Sequence, residues 1–293
     1  MAPSKFTRLL RFSNAEGTVF FGELGDEVAT AEALIGRSVR VYSGNSPWEG
    51  EFTLTEKSEK IAQVADSVQL LSPVPYAPLL YGVGYNYKAH AAESSQNVPE
   101  SEYPVCFTKA PGTLAGPLED VPFSEELLYM DYEGELCVVI GKPLKNLKEG
   151  EDPTPYIAGY TVGNDVSSRY WQRAERSGGQ HAQGKSFDKF APIGPVLVST
   201  SAIPDPNKLY LKTWVNGELR QESSTGLLIY SIPTVLRYLS RGVTLQPGTV
   251  LMTGTPAGVA ASFRPQKWLQ DGDVVEVEIS GIGKIKNKMV LEK

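Results

Sequence analysis

Apolar and polar positions alternate with a short period along much of the chain. Phe6 to Phe12, the turn residues Asn14-Ala15-Glu16-Gly17 and then Thr18-Val19-Phe20-Phe21 read as strand, turn, strand. Val39-Arg40-Val41-Tyr42 and Phe52-Thr53-Leu54 repeat the pattern, so residues 1–72 are expected to form a small β-rich domain. Pro73, Pro75 and Pro78 then interrupt any regular element and mark a linker, leaving 73–293 as the larger domain. Within it, Leu209 to Val215, Asn216-Gly217 and Glu218 to Glu222 predict a hairpin, because Asn-Gly supplies the positive φ of a type I′ turn. Val274 to Ile279, Gly281-Ile282-Gly283 and Lys284 to Leu291 predict another strand pair.

Three stretches carry helical signals. One runs from about Tyr87 to Ser94. A second runs from about Asp165 to Arg176, with Asn164 as its cap. The third runs from about Pro233 to Arg241, with Ser231 as cap and Gly242 as stop. Strands outnumber helices without a βαβ alternation, so an antiparallel or mixed sheet is expected rather than a doubly wound fold.

Composition narrows the chemistry. The 293 residues are 41% apolar and 21% charged, enough to build a sizeable core. With 28 basic against 34 acidic residues, a basic face for nucleic acid is not expected. No apolar run approaches the roughly 18–20 residues of a membrane span, and no signal-peptide core follows Met1. An intracellular, reducing, cytoplasmic location is the expectation, with a mitochondrial presequence the alternative suggested by Lys5, Arg8 and Arg11. Only two His and two Cys are present, which excludes Cys-rich, three-His and H-E-x-x-H zinc sites. Cys106 and Cys137 each sit in an apolar run and read as core. Any metal must then be held by oxygen, which favours Mg²⁺, Mn²⁺ or Ca²⁺.

Several segments could carry chemistry. In Met130 to Ile140, a strand would put Glu133 and Glu135 on one face with Cys137 and Val139. Two carboxylates facing an apolar interior call for a cation between them; a solvated strand end is the other reading. On a helix, Asp165, Arg169 and Gln172 would fall at i, i+4 and i+7, either lining a site for a metal-bound oxo acid or forming a surface pair. His90 and Glu93, at i and i+3, suit a general base or a surface pair. Gly179 to Ser186 matches the phosphate-loop pattern letter for letter. That pattern works only between a strand and a helix, and Pro192 and Pro195 deny it the helix, leaving Lys185 as a positive charge of interest. Val250 to Val259 reads as a strand running into a turn whose amides and Thr255 hydroxyl could hold a carboxylate; a plain turn is the alternative.

Taken in order, these pieces resemble the fumarylacetoacetate hydrolase family over roughly residues 76–291. The matching pieces are Gly84-Tyr85-Asn86-Tyr87 with His90 and Glu93, Asp131-Tyr132-Glu133-Gly134-Glu135-Leu136, and Gly159-Tyr160-Thr161 with Asn164-Asp165. Ser168-Arg169 with Gln172, Lys185-Ser186-Phe187-Asp188 and Pro192-Ile193-Gly194-Pro195 continue the match. Val215-Asn216-Gly217-Glu218, Gly254-Thr255-Pro256-Ala257-Gly258-Val259 and Asp271-Gly272-Asp273 complete it. The resemblance implies an α+β, β-rich fold, a mixed β-sandwich or roll with a small N-terminal β-rich domain, usually as a homodimer. It implies Mg²⁺ or Mn²⁺, sometimes Ca²⁺, held by Glu133, Glu135 and Asp165. It implies catalytic roles for His90, Glu93 and Lys185, and substrate contacts from Arg169, Gln172 and Thr255.

The implied activity is metal-dependent cleavage of a C–C bond in a small 2-oxo or 1,3-dicarbonyl acid, by acylpyruvate-type hydrolysis or oxaloacetate-type decarboxylation. An isomerase or hydratase on related acids, or a non-catalytic metal-dependent binding protein, are the alternatives. Tyr170, Ala260 and Thr249 depart from the family's usual residues. They leave the substrate open, since the pocket lies near these turns.

Overall fold

The alternating pattern of the first strands produces the expected pairing. Arg8–Ser13 runs antiparallel to Val19–Glu23, and Ser38–Ser43 and Thr53–Lys60 extend the ladder. The structure is a computed structural model that describes residues 5–292 apart from 49, 63–68 and 94–100; Ser94, the predicted end of the first helix, lies outside them. Residues 72–79, which hold the three prolines, contain no strand or helix. Backbone pairing nevertheless crosses that break, because Arg8 and Leu9 face Val198 and Leu197 of the strand Ala191–Ser199.

From Ala191–Ser199 the sheet continues through Ile157–Asn164, Gly134–Ile140, Val250–Met252 and Leu80–Gly84 to Val105–Lys109. These pairings are antiparallel except that of Val250–Met252 with Leu80–Gly84. A second sheet orders Val121–Phe123, Gly283–Leu291, Val274–Ile279, Tyr210–Val215 and Glu218–Ser224. The predicted hairpin is there, with Asn216 at φ 52° and Gly217 at φ 80°. The fold is α+β and β-rich, with mixed sheets.

Gly134–Ile140 is buried along its whole length, since both of its faces are covered. Leu136, Val138 and Ile140 share a core with Leu211, Val275 and Val277 of the second sheet. Cys137 and Val139, on the opposite face with Glu135, pack among Ile193, Val250 and Met252. The site therefore grows from a strand buried at every residue.

Ile232–Leu239 forms as predicted: the Ser231 hydroxyl accepts the Thr234 amide, and Ile232, Val235, Leu236 and Leu239 are buried. The helix predicted from Asp165 is different. Only Arg169–Gln172 and Ala174–Ser177 are helical. Asp165 to Ser168 spend their backbone groups on distant strands. The Asp165 amide donates to the Glu133 carbonyl (2.8 Å), Val166 donates to Phe190 (3.0 Å), and Ser167 and Ser168 pair with Asp131 and Met130. Asn164 is not a helix cap; its Oδ1 accepts the Glu133 amide at 3.0 Å. Asp165, Arg169 and Gln172 therefore do not share a helix face. The Gly184-Lys185 turn is followed by the strand Ala191–Ser199, so the phosphate-loop pattern lacks its helix.

Candidate active site

Strand register assembles the floor of the site. Gly134 lies opposite Asn164, so the residues flanking that pair, Glu133 and Asp165, meet at one end of the ladder. Glu135 stands two residues along from Glu133. One oxygen from each of the three carboxylates lies within 4.8 Å of the others. Glu133 is 6% exposed, Glu135 1% and Asp165 0%, which excludes the solvated strand end.

Carboxylates held this close repel one another unless cations intervene. Lys185 Nζ donates to Glu133 Oε2 (2.9 Å), Asp165 Oδ2 (2.5 Å) and Ser167 Oγ (2.8 Å). Lys109, wholly buried, donates to Asp165 Oδ1 and to the Phe190 carbonyl at 2.7 Å. Arg169 Nη2 donates to Glu133 Oε1 at 2.5 Å. Glu135 has no cation partner among the described residues; its Oε2 accepts the Gly254 amide at 2.6 Å. Gly254 can bring its amide that close because it has φ 107° and no side chain; a Cβ there would lie 2.6 Å from Asn86 Cβ.

These contacts split the acids electrostatically. Burial by itself would raise Glu133, but Lys185 and Arg169 outweigh it and hold that carboxyl well below the usual range. Burial, followed by the charges of Asp165 and Glu133, pushes Glu135 well above it. Burial would lower Lys185, yet Asp165 and Glu133 raise it above the ordinary lysine value.

Arg169 is tied down on three sides. Besides Glu133, its Nε donates to Asp131 Oδ2 (2.8 Å) and its Nη1 to Gln172 Oε1 (3.0 Å). Asp131 is fully buried, and its Oδ1 also accepts the amides of Tyr132 (2.9 Å) and Ala260 (2.6 Å). The Thr255 hydroxyl donates to the Gly134 carbonyl (2.9 Å) and accepts from Gln221 Nε2 (2.8 Å).

The opposite wall comes from the helix Lys88–Glu93. Asn86 pins its start: Nδ2 donates to the Thr253 carbonyl (2.7 Å) and Oδ1 accepts the Tyr230 amide (2.7 Å). Tyr85 takes a left-handed φ of 56°, and its ring stacks on His90 at 5.8 Å. Both Glu93 oxygens accept the Gly258 amide, at 3.0 and 3.1 Å. His90 Nδ1 lies 3.7 Å from Glu93 Oε2, so the two are adjacent without a hydrogen bond, and that buried nitrogen has no hydrogen-bond partner among the described residues.

One cavity of about 310 Å³ gathers most of the expected residues. His90, Glu93, Arg169, Gln172 and Thr255 line it, as do Glu133 and Lys185. Glu135 and Asp165 are not on its wall; they sit behind Glu133 and Lys185 in the oxygen cluster. His181 also lines the cavity, against the Phe107 ring. Burial and the charge of Lys185 lower the pKa of His181. Lys109, Asp131 and Gln221 escaped the sequence reading as site residues. A lysine closing an apolar strand reads as a surface residue, and no local spacing links it to Asp165.

The donor set suits a hard divalent cation: three buried carboxylates with oxygens in one small cluster and no sulfur or imidazole among them.

The family pattern described as "Fumarylacetoacetate (FAA) hydrolase C-terminal" matches residues 80–290. The chain is 41% identical over 224 residues to mitochondrial oxaloacetate tautomerase fahd2 of Xenopus laevis, covering 76% of this chain and 69% of that one. It is likewise 41% identical over 224 residues to oxaloacetate tautomerase YisK of Bacillus subtilis, covering 76% and 73%. Among solved structures, a 2-hydroxyhepta-2,4-diene-1,7-dioate isomerase from Mycobacterium marinum superimposes with a TM-score of 0.78 at 32% identity, covering 98% of this chain and 99% of that one.

Proposed function

The chain belongs to the fumarylacetoacetate hydrolase family of enzymes, and from that premise we propose that it converts small 2-oxo acids through their enols, with oxaloacetate the first candidate substrate. The observation that carries this reading is the meeting of the Glu133, Glu135 and Asp165 oxygens with Lys185, beside His90 and Glu93 on one cavity. Two relatives named as oxaloacetate tautomerases support it.

Glu133, Glu135 and Asp165 are the residues that would hold Mg²⁺ or Mn²⁺. A bound divalent cation would supply Lewis-acid polarisation of the substrate's 2-oxo group, which acidifies the neighbouring carbon. The remaining steps fall to the chain. His90, stacked on the Tyr85 ring and adjacent to Glu93, takes a proton from that carbon. Lys185 offers a fixed ammonium where negative charge collects on oxygen. Returning the same proton to that oxygen completes a keto–enol interchange with no atom gained or lost. Gln172 and Thr255 orient the acid.

An analogous enolate, that of the shorter 2-oxo acid, forms when the C–C bond one carbon removed from the 2-oxo group is broken, with CO₂ or a carboxylic acid as the other product. His90 next to Glu93 is the pairing that would activate a water, which favours acylpyruvate-type hydrolysis as the second reading, with oxaloacetate decarboxylation close to it.

The test follows oxaloacetate enol by ultraviolet absorbance and pyruvate by a coupled assay, with Mg²⁺ or Mn²⁺. Enol turnover by wild type, abolished in Asp165→Ala and strongly reduced in His90→Ala, is the expected result. Protein that turns over neither oxaloacetate nor an acylpyruvate, with either metal, defeats the proposal. Pyruvate formation that outpaces enol interchange moves the assignment to decarboxylation.

A further inference from the structure

The formal charges gathered at the floor are four buried acids, Asp131, Glu133, Glu135 and Asp165, against two buried bases, Lys109 and Lys185, and the partly buried Arg169. A divalent cation brings that set from one negative to one positive charge, which a single substrate carboxylate neutralises. A second carboxylate on the same substrate has no free counter-charge at that depth. Arg169, the obvious candidate, already donates to Asp131, Glu133 and Gln172.

Two further arginines line the cavity nearer solvent, Arg173 and Arg264. Neither has an acidic partner among the described residues, although acids elsewhere on this surface pair readily. Both are held in place by other means. The Arg173 guanidinium lies over the Tyr129 ring at 4.8 Å, and that ring packs in turn on Trp268 of the cavity wall at 5.2 Å. Arg264 Nη1 is fixed by the carbonyls of Ala261 (2.9 Å), Ser262 (3.3 Å) and Phe263 (2.8 Å), and its Nε and Nη2 make no hydrogen bond to any described residue. Two guanidinium groups that line one cavity, each held by its neighbours and neither paired with an acid among the described residues, are a preorganised anion subsite.

We infer that Arg173 and Arg264 form a second carboxylate subsite at the cavity mouth, which selects oxo acids carrying a distal anionic group over their monoanionic analogues. This rests on the oxo-acid reading of the same cavity. Recognition of the reacting end stays with the floor, while the mouth reads the other end of the molecule.

The experiment compares 2-oxoglutarate and oxaloacetate, each with a distal carboxylate, with 2-oxobutanoate, which has none. Binding to the Mn²⁺-loaded protein is measured by calorimetry, and oxaloacetate turnover is measured in parallel. Arg173→Gln, Arg264→Gln and the double variant are compared with Arg176→Gln, a nearby charge that does not line the cavity. The expected result is about tenfold weaker binding of the dianions by the double variant, as two partly solvated ion pairs would give, with 2-oxobutanoate unaffected. Wild-type affinity for the dianions should also fall with salt, and this dependence should flatten in the double variant. Equal losses for dianion and monoanion, or no loss for either, would overturn the inference while leaving the oxo-acid reading intact. Wild-type protein that binds none of these acids overturns both. A double variant that fails to fold leaves the single variants to decide by the same ratio.

Discussion

Removing the ammonium of Lys109 leaves Asp165 Oδ1 buried with no cation against it, while Lys185 still holds Oδ2. Breaking a buried pair from one side exposes the remaining charge to a poor dielectric, so Lys109→Met should cost about 3 kcal/mol in urea unfolding. A loss within 1 kcal/mol, on the scale of a surface pair, would show that Lys109 is not needed to tolerate Asp165. Glu135 makes a separate prediction. Its carboxyl is raised well above the usual value in the folded, metal-free chain, so it keeps a proton that the unfolded chain releases. By linkage the metal-free protein loses this contribution as pH rises from the unfolded carboxyl value towards the raised folded one, by up to about 1.4 kcal/mol per pH unit in that window. Glu133 has the opposite sign: held low by Lys185 and Arg169, it contributes stability above the unfolded value and loses it as pH falls. Metal uptake at Glu135 must displace the retained proton. Calorimetry of Mn²⁺ binding at a series of pH values rising from the ordinary carboxylate range, in buffers of different ionisation enthalpy, should therefore register proton release that persists above that range. No buffer dependence would mean that Glu135 is already ionised.

The helix Lys88–Glu93 has no buried residue of its own, so its place depends on its ends. Asn86 fixes one end and the Glu93 carboxylate on the Gly258 amide fixes the other. Gly258 has φ 102°, and a Cβ there would lie 1.9 Å from the Arg220 carbonyl oxygen. Gly258→Ala should therefore move the loop, release Glu93 and cost about 2 kcal/mol of stability. Hydrogen exchange should rise in 88–93 before it rises in Gly134–Ile140; unchanged protection of 88–93 would remove Glu93 as the tether. Elements like this differ in how far sequence reveals them. Ile232–Leu239 carries its own cap and apolar stripe, so its local pattern sufficed. The stretch from Asp165 failed as a helix because its partners, Glu133, Phe190 and Asp131, are far away in sequence. Glu133, Glu135, Asp165 and His90 were legible through ordered motifs. Lys109 and Arg264 were not, because only the folded chain brings them to the site, and Asp131 and Arg173, although close to legible residues in sequence, show a role only once the fold sets Asp131 against Arg169 and Arg173 on the cavity wall.

At the scale of the molecule, the alternating pattern foresaw a β-rich chain but not how its first strands join the rest. Arg8–Ser13 supplies the neighbour of Ala191–Ser199, which in turn flanks Ile157–Asn164, the strand that leads into Asp165. Ala29–Thr30 also pairs with Gly283 and Lys284 of the second sheet. Leu9, Leu10 and Phe12 are fully buried in the shared cores. Deleting residues 1–72 would strip one edge of Ala191–Ser199, bare those cores and offer an unpaired strand to other copies. The loss should then pass inward through two strands to the carboxylate cluster. The truncated chain is expected to aggregate or to melt far below the full-length protein, and to bind Mn²⁺ weakly even where some remains soluble. Size-exclusion chromatography, thermal melting by circular dichroism and Mn²⁺ calorimetry read these effects together. A monodisperse 73–293 fragment with near-native melting and metal affinity would instead make the N-terminal strands a separable domain, whose pairing with Ala191–Ser199 contributes little to the site.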